Sequence, residues 1–150
     1  MSKYLGVKLI EAVPALKKGG KVYHLDWPIP KSMDTVEMGY EVTYPDGYVS
    51  FSPKDVFESA YMPLERDNNT ISQSDVDGFI SNIHSQQIGD KTTFVMVTLK
   101  NGFTITESSS CVDPANFNME IGASICMEKI KDKIWFLLGF LLQSGVKGFK

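Results

Sequence analysis

Apolar residues recur along this chain with two different periods, and the switches between them mark the elements. Near the start, "YLGVKLIEAVPA" (Tyr4 to Ala15) alternates loosely and ends around Pro14, which predicts a first strand. "LKKGGKVYHLDWPIPKSMD" is turn-rich, and Pro28 and Pro30 make it an extended loop. "GYEVTY" and "YVSFS" then flank Pro45-Asp46-Gly47. Proline presets φ and Gly47 permits a positive φ, so this reads as a hairpin. In "SPKDVFESAY", Ser52 is placed to cap, Pro53 suits the first helical position and Asp55 completes an S-x-x-D box. Val56, Phe57, Ala60 and Tyr61 supply an apolar face, and Pro63 stops the helix. Residues 1–63 therefore read as a small β-rich unit, a hairpin plus a short helix. Residues 64–70 are polar and without period, as a linker would be.

The second unit, residues 71–150, opens on "SQSDVDGFISNI". Ser72 and Asp75 form a capping box, and Val76, Phe79, Ile80 and Ile83 keep helical spacing up to a terminator at Gly89. "KTTFVMVTLKNGFTITE" predicts a second hairpin turning at Asn101-Gly102. A long helix follows, from near Pro114 to about Leu142. The expected fold class is α+β, with the second unit ordered helix, β-hairpin, long helix.

That long helix is apolar on more than one side. At 100° per residue, Phe117, Ile121 and Ile125 share one face, while Met127, Ile130, Ile134, Leu137 and Leu141 lie well over 100° around. Trp135, Phe136 and Phe140 make its last turns apolar almost all round. One hairpin covers one face. The sequence thus implies a homo-oligomer, with Ile130, Ile134, Leu137, Leu138 and Leu141 as its interface. The first unit, or the helix expected from Ser72 to Ile83, is the other candidate cover.

Composition narrows the partners. Hydrophobic residues make up 43% and charged residues 22%, a normal globular balance. The net charge is −3, and both halves are slightly acidic, so duplex nucleic acid is not an expected partner. The longest apolar stretch, Ile134 to Val146, is too short to span a membrane, and no secretory signal opens the chain. Cys111 and Cys126 are too few for a disulfide scaffold, which points to a reducing cytoplasm.

Candidate chemistry gathers at "ESSSCVDPANFN", Glu107 to Asn118. Asp113-Pro114 reads first as a helix cap and first helical residue, joining hairpin to helix. Its second reading is an anion cradle, in which helix N–H groups lie beside Ser108, Ser109, Ser110, Cys111 and Asn116. As a nucleophile Cys111 lacks a base in any recognisable motif, since only His24 and His84 are available. No metal-ligand spacing, dinucleotide fingerprint or phosphate loop occurs, so no metal and no cofactor is expected. Trp27 and Tyr48 are candidates for stacking a nucleobase, within an aromatic-rich region that also supplies core.

The run E-S-S-S-C-V-D-P-A-N-F followed by I-G-A-S-I-C carries a resemblance. It is similar to the signature of a widespread tailed-phage protein family of unknown function, over about residues 71–143. "GYEVTYPDGYVSFSPKDVFESAY" resembles the short N-terminal extension found on some phage proteins of the Thoeris anti-defence type, with Phe51 where a tryptophan is usual. These resemblances imply phage origin and the host cytoplasm. They also imply a non-enzymatic accessory protein that counters host immunity by binding, its ligand a small nucleotide-derived signal. The alternatives are a stoichiometric inhibitor of a host defence protein and a structural or morphogenetic phage protein.

Overall fold

The computed structural model describes residues 1–150. The chain is mixed α+β and divides into two compact units, Met1–Pro63 with Ser144–Lys150, and Leu64–Gln143. The last residues of the chain thus group with the first unit rather than the second.

The first unit is an antiparallel sheet of four strands in the order β2-β1-β3-β4. They are β1 (Glu11–Lys18), β2 (Lys21–His24), β3 (Val36–Thr43) and β4 (Val49–Pro53). The first strand starts later than the alternation suggested. The stretch read as a loop after it holds a second hairpin. Gly19 and Gly20 both take positive φ, +57° and +78°, the conformation a two-residue hairpin turn requires and glycine supplies without strain. Pro14 lies one residue beyond the last β1–β2 pair, so its missing N–H weakens no ladder on that side. The hairpin at Pro45–Gly47 forms as read, closed by Tyr44 N–H to Tyr48 O at 2.8 Å. Ala15, Leu16 and Val42 are its buried apolar residues.

Helix α1 (Lys54–Ala60) follows β4 without a side-chain cap. Ser52, expected to cap it, is instead paired with Tyr40 in the β3–β4 ladder, which moves the helix start past Pro53. Phe57 on α1 stacks on Tyr40 at 4.1 Å.

The second unit differs more from its pattern. The capping box at Ser72 forms: Asp75 N–H donates to Ser72 Oγ at 3.1 Å, and Ser72 N–H donates to Asp75 Oδ2 at 2.9 Å. Yet helix α2 ends at once (Gln73–Gly78), and Ile80–Ile88 is strand β5. The sheet is therefore a three-stranded meander, β5-β6-β7, with β6 (Thr92–Leu99) in the middle and β7 (Thr104–Ser110) on the far side. Gly89 does not terminate a helix. It opens the β5–β6 turn with a φ of +66°.

Helix α3 (Met119–Lys147) lies across one face of this sheet. Its inward row is Gly122, Cys126, Ile130, Ile134 and Leu138, set four residues apart. It meets Val95, Val97 and Leu99 of β6 and Ile105 of β7, with Val76 and Phe79 closing one end. Gly122 permits close approach, because a methyl group there would fall 2.1 Å from Thr93 Oγ1.

Two ion pairs flank the helix: Lys131 to Asp77 at 3.0 Å, and Lys133 to Glu107 of β7 at 2.7 Å. The hydrogen bond from Lys133 holds the Glu107 carboxyl below its ordinary range, against the opposing effect of burial. A depressed folded value contributes stability that is complete above the unfolded pKa of about 4.3 and fades as pH falls through the folded value. The urea midpoint is expected to drop below about pH 4.3 partly for this reason. Measured across that range, Lys133→Met should flatten the part of the decline that Glu107 contributes.

Candidate functional site

The serine-rich stretch does not assemble the cradle its sequence suggested. Ser108, Ser109 and Ser110 lie on β7, where strand alternation sends Ser108 and Ser110 to one face and Ser109 to the other. Ser110 Oγ shares a 2.7 Å hydrogen bond with Thr92 Oγ1 across the ladder. Cys111 is half-buried, with its N–H donated to Lys91 O at 2.9 Å and its thiol to Asp113 O at 3.3 Å. Asp113 does cap, accepting from Ala115 N–H at 3.0 Å, but the element it caps is a single 3-10 turn, Pro114–Asn116. The long helix starts later, and there Asn118 Oδ1 accepts from Ile121 N–H at 3.0 Å. Ser109, paired with Thr93, lies on the side that α3 covers while Ser108 and Ser110 lie on the other, so the three hydroxyls do not converge. Asp113 occupies one capping role and Asn118 the other. His84, expected near a helix end, stands on β5 with Nε2 2.9 Å from Gln86 Oε1.

The expected oligomer interface also changes. Ile130 and Ile134 are 0% exposed and Leu138 is 2% exposed, all within the core of their own unit. They cover the sheet, so they are spent before any second copy arrives. Leu137 is half-buried against the same core, and Leu141 is more open. The apolar surface that remains lies around Phe103, Phe136 and Phe140, and Phe103 and Phe140 line a groove of about 150 Å³ with Leu137 and Leu141.

The first unit holds two aromatic groups, on opposite faces of its sheet. His24 pairs with Ala15, which pairs with Gly39, so His24 and Glu41 share a face while Tyr40 takes the other. On the first face, Trp27 stacks on His24 with ring centres 3.9 Å apart. His24 Nε2 in turn lies 2.9 Å from Glu41 Oε1, which reaches across β1. Trp27 remains 46% exposed. Phe51 lies over Gly39, and Lys17 Nζ sits 6.0 Å from the Phe51 ring. On the second face, Tyr40, Phe57 and Tyr61 stack in series, and Tyr44 stacks on Tyr48 at 5.8 Å. Lys8 Nζ lies 5.1 Å from the Tyr44 ring. Burial, together with Tyr44, pushes the Tyr61 hydroxyl up from its ordinary pKa.

Trp27 and Tyr48 are thus not two walls of one site. The group with the most varied chemistry is Trp27, His24, Glu41 and Lys17: a stacking plane, an imidazole, a carboxylate and a cation on one sheet face. Sequence reading named Trp27 but did not join it to His24 and Glu41. The signal was present in Gly19-Gly20, since a two-residue hairpin there sets His24 opposite Ala15 and brings it toward β3.

No three His, Cys, Asp or Glu side chains come together as a metal-binding group. No helix is long and apolar enough to cross a membrane. Burial pushes the Cys126 thiol up, which leaves it a packing residue against β6.

No curated protein and no solved structure matches the chain. A family model does, over residues 71–146, the span that holds the meander, the serine-rich strand and nearly all of the long helix. By that match across more than half of its length, the chain belongs to the phage protein (N4 Gp49/phage Sf6 gene 66) family.

Proposed function

We propose that this phage accessory protein acts by binding, without turnover, and that it counters host antiviral immunity by sequestering a nucleotide-derived signal. The observation that carries the reading is Trp27. Its ring is fixed from one side by His24, itself tied to Glu41, and remains 46% exposed. A pre-set indole loses little freedom when a base stacks on it, and such stacking contributes about 1–3 kcal/mol per base. Glu41 offers acceptors for base amino or ribose hydroxyl groups, and Lys17 offers a cation for a phosphate.

Calorimetry against a panel of cyclic and ADP-ribose-type nucleotides tests this. At least one member should bind, and Trp27→Ala should weaken it by about tenfold or more. Tyr48→Ala should leave it nearly unchanged, since Tyr48 lies on the other sheet face. If no nucleotide in the panel binds, sequestration is excluded.

A second reading, a stoichiometric inhibitor of a host defence protein, draws on a separate surface. Phe103, Phe136 and Phe140 are 48%, 79% and 65% exposed, an aromatic cluster of the kind that anchors protein contacts. Affinity purification from infected cells should then return one host factor, lost on Phe136→Asp. Recovery of the chain in purified virions would instead favour a morphogenetic role.

A further inference from the structure

We propose that strand β5 is the surface through which two copies of this chain join, edge to edge and antiparallel, into one six-stranded sheet. The inference does not depend on the nucleotide reading.

Strand β5 is the border of the meander and is hydrogen-bonded on one side only, to β6. On such a border, alternate residues direct N–H and C=O groups outward, a template for another strand. Eight of its nine residues are exposed, and "ISNIHSQQI" contains no charge and no proline. Its one irregularity is a bulge between Ile80 and Asn82. From Asn82 to Ile88 the pairing is regular, an open edge of about 24 Å at the usual rise.

The opposite border is built differently. Strand β7 carries Glu107, directed toward the helix-covered face and paired there with Lys133. Inward charge is a recognised guard against strand addition. The same sheet therefore guards one border and leaves the other as a template.

A second copy is the occupant that the composition of β5 fits. About a two-fold axis perpendicular to the sheet, β5 meets itself antiparallel. Every register then sets only Ile, Ser, Asn, His and Gln against one another, with no like charges to repel. Ile83 and Ile88, 50% and 47% exposed, would gain neighbours from the added strand. A charged peptide would find no complementary charge on this strand.

The full-length chain tests this by light scattering and by amide hydrogen exchange at two protein concentrations. The expected mass is that of two 16.7 kDa chains. Alternate β5 amides should exchange more slowly as concentration rises. Ser85→Lys, at the middle of the regular edge, adds a positive charge to each copy beside the seam and should weaken the dimer at least about tenfold, with Tm unchanged at concentrations where the chain is monomeric. Phe136→Asp should leave it intact. A chain that stays monomeric at about 100 µM, where even a weak specific contact shows, overturns the proposal. So does a dimer lost on Phe136→Asp rather than Ser85→Lys, or β5 exchange that ignores concentration.

Discussion

Replacing Ile134 by alanine is expected to lower the unfolding free energy by about 2–5 kcal/mol, the range for emptying a well-packed aliphatic site. Ile134 is 0% exposed in the row by which α3 covers the sheet. Truncation removes apolar contact with that sheet and leaves a void between two elements with little freedom to close it. The neighbouring substitution Phe136→Ala should cost far less, because the Phe136 ring is 79% exposed and loses little burial. Urea denaturation of the two variants beside the parent chain measures the contrast. Equal costs would mean that the inward face of α3 had been wrongly assigned. The comparison matters for function as well, because Ile134 belongs to a row that the sequence offered as an oligomer interface. A large cost with no change in subunit mass separates folding from association.

That reversal shows where local pattern stops carrying information. Heptad-like spacing in α3 identified an apolar helix correctly, but several faces were apolar, and spacing alone does not say which one meets the sheet. The choice rests on two small residues. Gly122 and Cys126 let the helix approach β6, and they align with Ile130, Ile134 and Leu138. Strand β5 was hidden for a related reason. Val76, Phe79, Ile80 and Ile83 keep helical spacing, and the capping box at Ser72 is real, so a longer helix was the natural extension. The chain nevertheless leaves the helix after Gly78. Ile80–Ile88 pairs along the whole of β6, a gain that local propensity does not register. Turns were more legible, since Gly47 and Gly102 adopt the positive φ expected of them. At the candidate site, Trp27 was legible as a candidate stacking residue. Its support by His24 and Glu41 was not, because it depends on register across three strands.

Gly39→Ala is expected to destabilise the chain by about 1–3 kcal/mol, although it adds one methyl group. A Cβ at Gly39 would lie 2.1 Å from the Ser52 carbonyl oxygen and 2.7 Å from the Phe51 ring. The first of these is backbone in the paired strand, so β3 and β4 must separate locally, and a rotamer change does not relieve the contact. Glycine is needed here for close approach, since its φ is not positive. Gly139→Ala supplies the control with the opposite sign. Gly139 sits inside α3, and a Cβ there meets nothing within 4 Å. Alanine should then stabilise the helix by roughly 0.5–1 kcal/mol through its better propensity. Thermal unfolding of both variants checks the pair, with Tm falling for Gly39→Ala and rising for Gly139→Ala. A rise for both would mean that β3 and β4 part without cost at Ser52. The fall at Gly39 has a functional counterpart. Phe51 lies over Gly39 on the face that carries Trp27, so moving the ring also moves the aromatic beneath Lys17. If the proposed nucleotide binding holds, affinity measured on Gly39→Ala below its Tm should therefore drop, whereas Gly139→Ala should leave it unchanged.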